Sequence, residues 1–293
     1  MNRLLRAELF KLRATNAAWL FAAASLVSTV TVLVVNCVNA HALLQPLAGY
    51  LNLHTHGNGD HLPADFAARL TSEWQVGHNA VTQAATIATS GQLIGLLLTC
   101  LLGIVLVTSE FHQQTATSTF LITPRRRDVI AGKLLTAVLV AGAAWLVSTV
   151  ISLVTGAVFL HTQGYGAQLA QGDVVRAVLL NLAAYVIWAV FGVGFGALIR
   201  SQLVATVSAT VLYLVGSVAA TSLFELLNTY VLQKNWVLGL EVIAPSVASA
   251  VMISPTSTFT GSPAQWVGAV VLIGYGLLFG LWGTRALQRR DIG

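Results

Sequence analysis

The chain has 293 residues, of which 56% are hydrophobic and only 9% charged, and its mean hydropathy is +0.78. Soluble domains carry about 25% charged residues, so this composition excludes a water-exposed globular surface and requires a polytopic membrane protein. The formal charge of +5 first reports topology in such a chain and does not by itself speak for nucleic acid.

In chain order, "MNRLLRAELFKLRAT" places Leu5, Leu9 and Leu12 on one helical stripe and Arg6 and Arg13 on a neighbouring face. The pattern fits a helix over 1–15 lying in the headgroup layer, or a basic flank that anchors the first span. The first apolar run, 17–39, is long enough to cross a bilayer, which needs about 20 residues. "VNA" before His41 resembles a cleavage site, but the length of the run favours an uncleaved span. An outer loop over 40–82 follows and holds five of the seven histidines. Within it, "HTHGNGDH" gathers His54, His56, Asp60 and His61 around two glycines, a donor set suited to zinc or copper. A chance cluster in a polar loop reads the same way.

The second span is expected near 83–108, with Asn79, Thr82, Gln83, Thr86, Thr89 and Ser90 striping its outer half. A polar and basic insert, "SEFHQQTATSTFLITPRRRDVIAGK" at 109–133, separates it from the third span, 130–160. Residues 109–121 hold no helix breaker, whereas Pro124 interrupts the segment. A short turn at 161–173 leads to the fourth span, 174–199. Its "FGVGFG" lies inside an apolar run, so Gly192 and Gly196 read as a close-packing face rather than a dinucleotide loop. Gly91 with Gly95 and Gly276 with Gly280 repeat that spacing. The fifth span, 202–223, carries Thr206, Thr210, Tyr213, Ser217 and Thr221 at helical spacing. Both polar stripes suit a path-lining face, and both equally suit hydroxyls bonded back to their own helix. Residues 224–263 include "LEVIAPSVASAVMISP", too short and too broken by Pro to span, which fits a re-entrant or interfacial hairpin or an ordinary apolar outer loop. The last span is 264–286. Cys37 and Cys100 fall in apolar runs toward opposite faces, which argues against a mutual disulfide.

With the N-terminus inside, Arg3, Arg6, Lys11, Arg13, Arg125, Arg126, Arg127, Lys133, Arg200, Arg285, Arg289 and Arg290 are cytoplasmic. Only Arg69, Arg176 and Lys234 lie outside. Twelve against three is a strong positive-inside bias, so both termini are expected in the cytoplasm. No G-x-x-x-x-G-K-[ST] loop is present, since Gly132-Lys133 is followed by Leu134 and preceded at the required distance by Arg127. No nucleophile, base and acid arrangement stands out. Intramembrane carboxylates of the kind ion-driven carriers use are nearly absent.

The insert resembles the coupling segment of permease subunits of ATP-binding-cassette type 2 transporters. The matching residues are Glu110, Phe111, Thr115, Leu121, Pro124, Arg126, Arg127 and Lys133. The opening "RAELFKLRAT", the "APSVASAV" stretch and the ending "RALQRRDIG" also resemble the family. Where the family commonly has Arg two residues after the Glu, this chain has His112, a group that titrates near neutrality.

The resemblance implies an all-α type 2 exporter domain: one transmembrane domain over 1–293 with six spans, an interfacial helix at 1–15, a cytoplasmic coupling segment at 109–127 and an outer re-entrant segment at 224–263. It implies two permeases, the same chain or a similar one, and two copies of a separate ATPase in a bacterial plasma membrane. ATP and Mg would bind the ATPase, with no cofactor on this chain and no nucleic-acid partner. Glu110 to Thr119 would dock into the ATPase, and Arg125 to Arg127 would face inner-leaflet phosphates or acidic ATPase residues; plain positive-inside anchoring is the alternative for that run. The second and fifth spans would line the path, with Thr82, Thr86, Ser90, Thr206, Thr210, Tyr213, Ser217 and Thr221. Hydroxyls and apolar walls suit an amphiphilic, lipid-like or drug-like cargo. A metal permease using the His loop and a non-transporting membrane sensor or scaffold are the other readings.

Overall fold

A computed structural model describes residues 2–54, 63–112, 126–199, 201–232, 235–255 and 262–289. Among them every regular element is helical: α1 (Asn2–Ala14), α2 (Asn16–Leu43), α3 (Leu47–His54), α4 (Ala64–Gly77), α5 (Ala80–Ala88), α6 (Gln92–His112), α7 (Arg126–Thr162), α8 (Gly172–Leu198), α9 (Gln202–Leu227), α10 (Pro245–Ile253) and α11 (Gln265–Arg289). A π-helical turn, Asn228–Leu232, and a 3-10 helix, Asn235–Ile243, precede α10.

Six segments are long and apolar enough to cross a bilayer: Ala18–Leu43, Ala80–Glu110, Asp128–Thr162, Gly172–Leu198, Gln202–Val231 and Gln265–Gly283. They match the six expected spans to within a turn or two of helix. The 3-10 helix and α10 meet at 110°. Arms this short, bent this far, reach only about 17 Å end to end, against a hydrocarbon core of about 30 Å. The pair is therefore too short to cross, as the Pro-broken sequence anticipates. With six crossings, both described ends of the chain lie on one face of the bundle, called here the terminal face.

Two features differ from the sequence reading. The outer loop expected over 40–82 is largely helical, with α2 running on to Leu43 and α3 and α4 folding back on its end. Trp74 Nε1 donates to the Gln45 carbonyl, and Gly77 lies against Leu43. The second span is two helices, α5 and α6, broken at Thr89–Gly91.

The core is built around α8, which packs on α6, α7 and α11. Close approach explains its glycines. A Cβ on Gly192 would overlap the Cys100 carbonyl of α6, and one on Gly194 would overlap the Phe279 carbonyl of α11. On Gly196 it would stand 2.9 Å from Ile104 Cα. Packing in lipid depends on such contacts because no hydrophobic force separates helix from acyl chain. Outside this core, the first and fifth spans stay largely uncovered, with 11% and 17% of their residues buried against 67% for the second.

Candidate functional site

Among the described residues, the most concentrated polar chemistry lies where α1, the end of α6 and the start of α7 meet on the terminal face. α1 turns inward not a leucine but Glu8, which is 5% exposed, while Phe10 on its other side is 73% exposed. Glu8 meets Lys133 of α7: Nζ lies 3.2 Å from Glu8 Oε2. The same ammonium is 3.0 Å from Glu110 Oε1 of α6 and donates to the Leu106 carbonyl at 2.8 Å. Three acceptors thus surround a group that carries three N–H donors. Lys11, one turn after Glu8, completes a ring at 3.1 Å from Glu8 Oε1 and 2.7 Å from Glu110 Oε1. Lys133, Glu8 and Glu110 are buried, whereas the Lys11 side chain is about half-exposed.

Two carboxylates and two ammoniums cancel, so the cluster adds no net charge to the interior. Burial works against the Lys11 ammonium, but the hydrogen bond and charge of Glu110, joined by Glu8, hold its pKa above the ordinary lysine value. Removing one member strands its partners in a dry site, which typically costs about 3–5 kcal/mol. The cluster therefore locks three elements together.

This geometry changes the picture of the insert. Glu110 presents its carboxylate to Lys133 and Lys11 rather than outward, and Lys133 is equally enclosed. Phe111 and His112 belong to the last turn of α6, and Arg126 and Arg127 to the first turn of α7. Their side chains, together with Thr115, Pro124 and Arg125, lie outside the described residues. Glu8 and Lys11 were missed at the sequence level. A signal existed: Glu8 is the only acid before Asp60, set in an otherwise basic segment.

The polar stripes resolve into specific bonds. Asn79 caps α5 by accepting from Val81 N, and Gln83 donates to the Gly77 carbonyl. Thr89 and Ser90 donate to Ala85 and Ile87, a back-bonding that loosens the helix where α5 ends. Tyr185 of α8 reaches into the break and donates to the Gly91 carbonyl at 2.9 Å. Gly91 leaves room for Ser148, which a Cβ would approach to 2.8 Å. Thr86, Thr206, Thr210, Ser217 and Thr221 all donate to carbonyls of their own helices. Ser90 also accepts from Asn36 of α2, and Thr82 is buried. Tyr213 of α9 is buried and donates to Leu93 of α6 at 2.7 Å. Within this chain α9 packs on α6, and α5 packs on α2, α7 and α8.

Of the histidine set, His54 bonds the Tyr50 carbonyl through Nδ1, while His56, Asp60 and His61 lie outside the described residues. His78 stacks on Trp74 and bonds the Leu43 carbonyl. Among the described residues no three metal-ligating side chains converge. No family model matches the chain, and no curated protein matches it.

Proposed function

We propose that this chain is the membrane-spanning subunit of an ATP-driven exporter, energised by a separate ATPase that acts on residues 109–133. The observation that carries the reading is the Glu8–Lys11–Glu110–Lys133 cluster. Glu110 stands near the start of the polar insert and Lys133 at its end, so both of its ends are rooted in one ion-pair network. A push on the insert then moves α1, α6 and α7 together, because sliding any one alone separates buried charges. The lack of a nucleotide loop in the sequence is consistent with energy entering from another polypeptide.

In this reading the terminal face is cytoplasmic, in a bacterial plasma membrane, which the twelve-to-three distribution of Lys and Arg supports. Two such chains, or this one and a similar permease, stand over two ATPase copies. The uncovered faces of the first and fifth spans supply surface for lipid or for the second permease. Few charges and many hydroxyls along the bundle favour an amphiphilic cargo. The test is Glu110→Ala in the assembled transporter: the variant inserts in the membrane but its ATP hydrolysis no longer responds to cargo. Cargo-stimulated hydrolysis at the wild-type level ends the assignment of coupling to this cluster.

A further inference from the structure

A cavity of about 590 Å³ opens between α1, α2, α6 and α7 on the terminal side of the bundle. That volume lies within the 300–1,000 Å³ typical of small-molecule sites. Its walls are mostly apolar and include Leu102 of α6, Ala144 of α7 and Ala22 of α2, with the hydroxyls of Ser25, Thr29, Thr99 and Ser148 among them. Along α2 it runs from Ala18 to Thr29, a depth of about 16 Å at 1.5 Å per residue. Half of a hydrocarbon core of about 30 Å is nearly the same length, so the slot is as deep as one leaflet. α1 borders its mouth on the terminal side, and Arg13 stands in its lining.

The charge at that mouth is defined by the ion-pair cluster. Glu8 is committed to Lys11 and Lys133. Arg6 and Arg13, two helical turns apart on the exposed side of α1, form no ion pair among the described residues. An apolar slot one leaflet deep, with a guanidinium at its mouth that forms no ion pair among the described residues, matches a single acyl chain carrying an anionic headgroup. We propose that this cavity holds one acyl chain of an anionic bilayer lipid from the terminal-face leaflet, its phosphate on Arg13. The lipid then wedges α1 against the bundle beside the ion pairs. This assignment does not depend on the transport reading.

Native mass spectrometry of the full chain in non-ionic detergent tests it, with dioleoyl phosphatidylglycerol and dioleoyl phosphatidylcholine as probes. The expected result is one retained phosphatidylglycerol per chain, bound about fivefold tighter than phosphatidylcholine. That is the contribution of one basic side chain at a lipid surface. R13A should lose the preference and R13K keep it. A144F and, from α2, A22F should fill the slot and remove the retained lipid of either kind. Circular dichroism and elution volume report whether each variant is folded. Equal binding of the two lipids by the wild-type chain overturns the proposal. So does a retained lipid in folded A144F and A22F, which would mark annular lipid only. Loss in A144F with no change in R13A also overturns it, assigning the slot to an uncharged ligand.

Discussion

Lys133→Met is the sharpest perturbation of the structure, because it keeps much of the side chain's volume while removing its charge. The wild-type ammonium lies 3.0 and 3.2 Å from two carboxylates. At an effective dielectric of about 20, each contact has a gross attraction of about 5 kcal/mol. Methionine also removes the cost of burying the ammonium, so the gross figure is not lost in full. Glu8 and Glu110 are left buried beside each other with only half-exposed Lys11 between them. The net loss should be about 3–5 kcal/mol. Reversible unfolding in mixed micelles with increasing denaturing detergent measures it, together with Glu110→Gln and the double variant. Glu110→Gln should restore part of the Lys133→Met loss, giving a coupling energy of about 1–3 kcal/mol. A Lys133→Met chain within 0.5 kcal/mol of the wild type, or strict additivity of the two changes, refutes the ionic lock.

Other predictions follow from the packing and the titrations. Gly192→Ala should destabilise by about 1–3 kcal/mol or more, since its Cβ would overlap the Cys100 carbonyl. Gly142→Ala in α7, with nothing within 4 Å of the added carbon, should gain about 0.5–1 kcal/mol by the same unfolding assay. Tyr185→Phe strips the Gly91 carbonyl of its donor at the helix break and should cost about 1–3 kcal/mol; a neutral result would mean another group caps the break. Lys11 has a raised folded pKa, so its contribution is complete below the unfolded value of 10.5 and fades only as pH rises through the folded value. Tyr50, raised by burial and by Glu73, adds a loss of the same sign in the alkaline range. Stability attributable to these groups should thus be flat from pH 6 to about 9 and fall at higher pH; a fall centred below pH 8 contradicts that assignment.

The spans were legible because about 20 apolar residues have few alternatives to crossing a bilayer. That 236–253 would not form a full span was legible for the opposite reason, since Pro245 and short arms deny it that length. The glycines of "FGVGFG" were placed correctly because backbone contact in lipid needs small residues. The break at Thr89–Gly91 was not legible, since Thr and Ser occur in straight helices too, and only Tyr185 and Ser148 from other spans show why the chain opens there. The helices of 47–77 were hidden by a histidine-rich, polar composition that suggested a loop. Glu110 and Lys133 were singled out, but their partners were not: ion pairs over 99 and 125 positions leave no local periodicity. The hydroxyl stripes showed the correct spacing yet carried no information on whether each proton goes to a neighbour or back to its own helix.

The central claim is that a separate ATPase drives this chain through the 109–133 segment. The most direct measurement is affinity purification of the full chain from its native membrane in mild detergent, with the bound ATPase identified, counted and assayed. The account predicts one ATPase per chain, ATP hydrolysis in the purified complex, and loss of both when residues 113–124 are replaced by a Gly-Ser linker. A stably folded chain that carries no ATPase, or one whose ATPase is unaffected by the replacement, contradicts it.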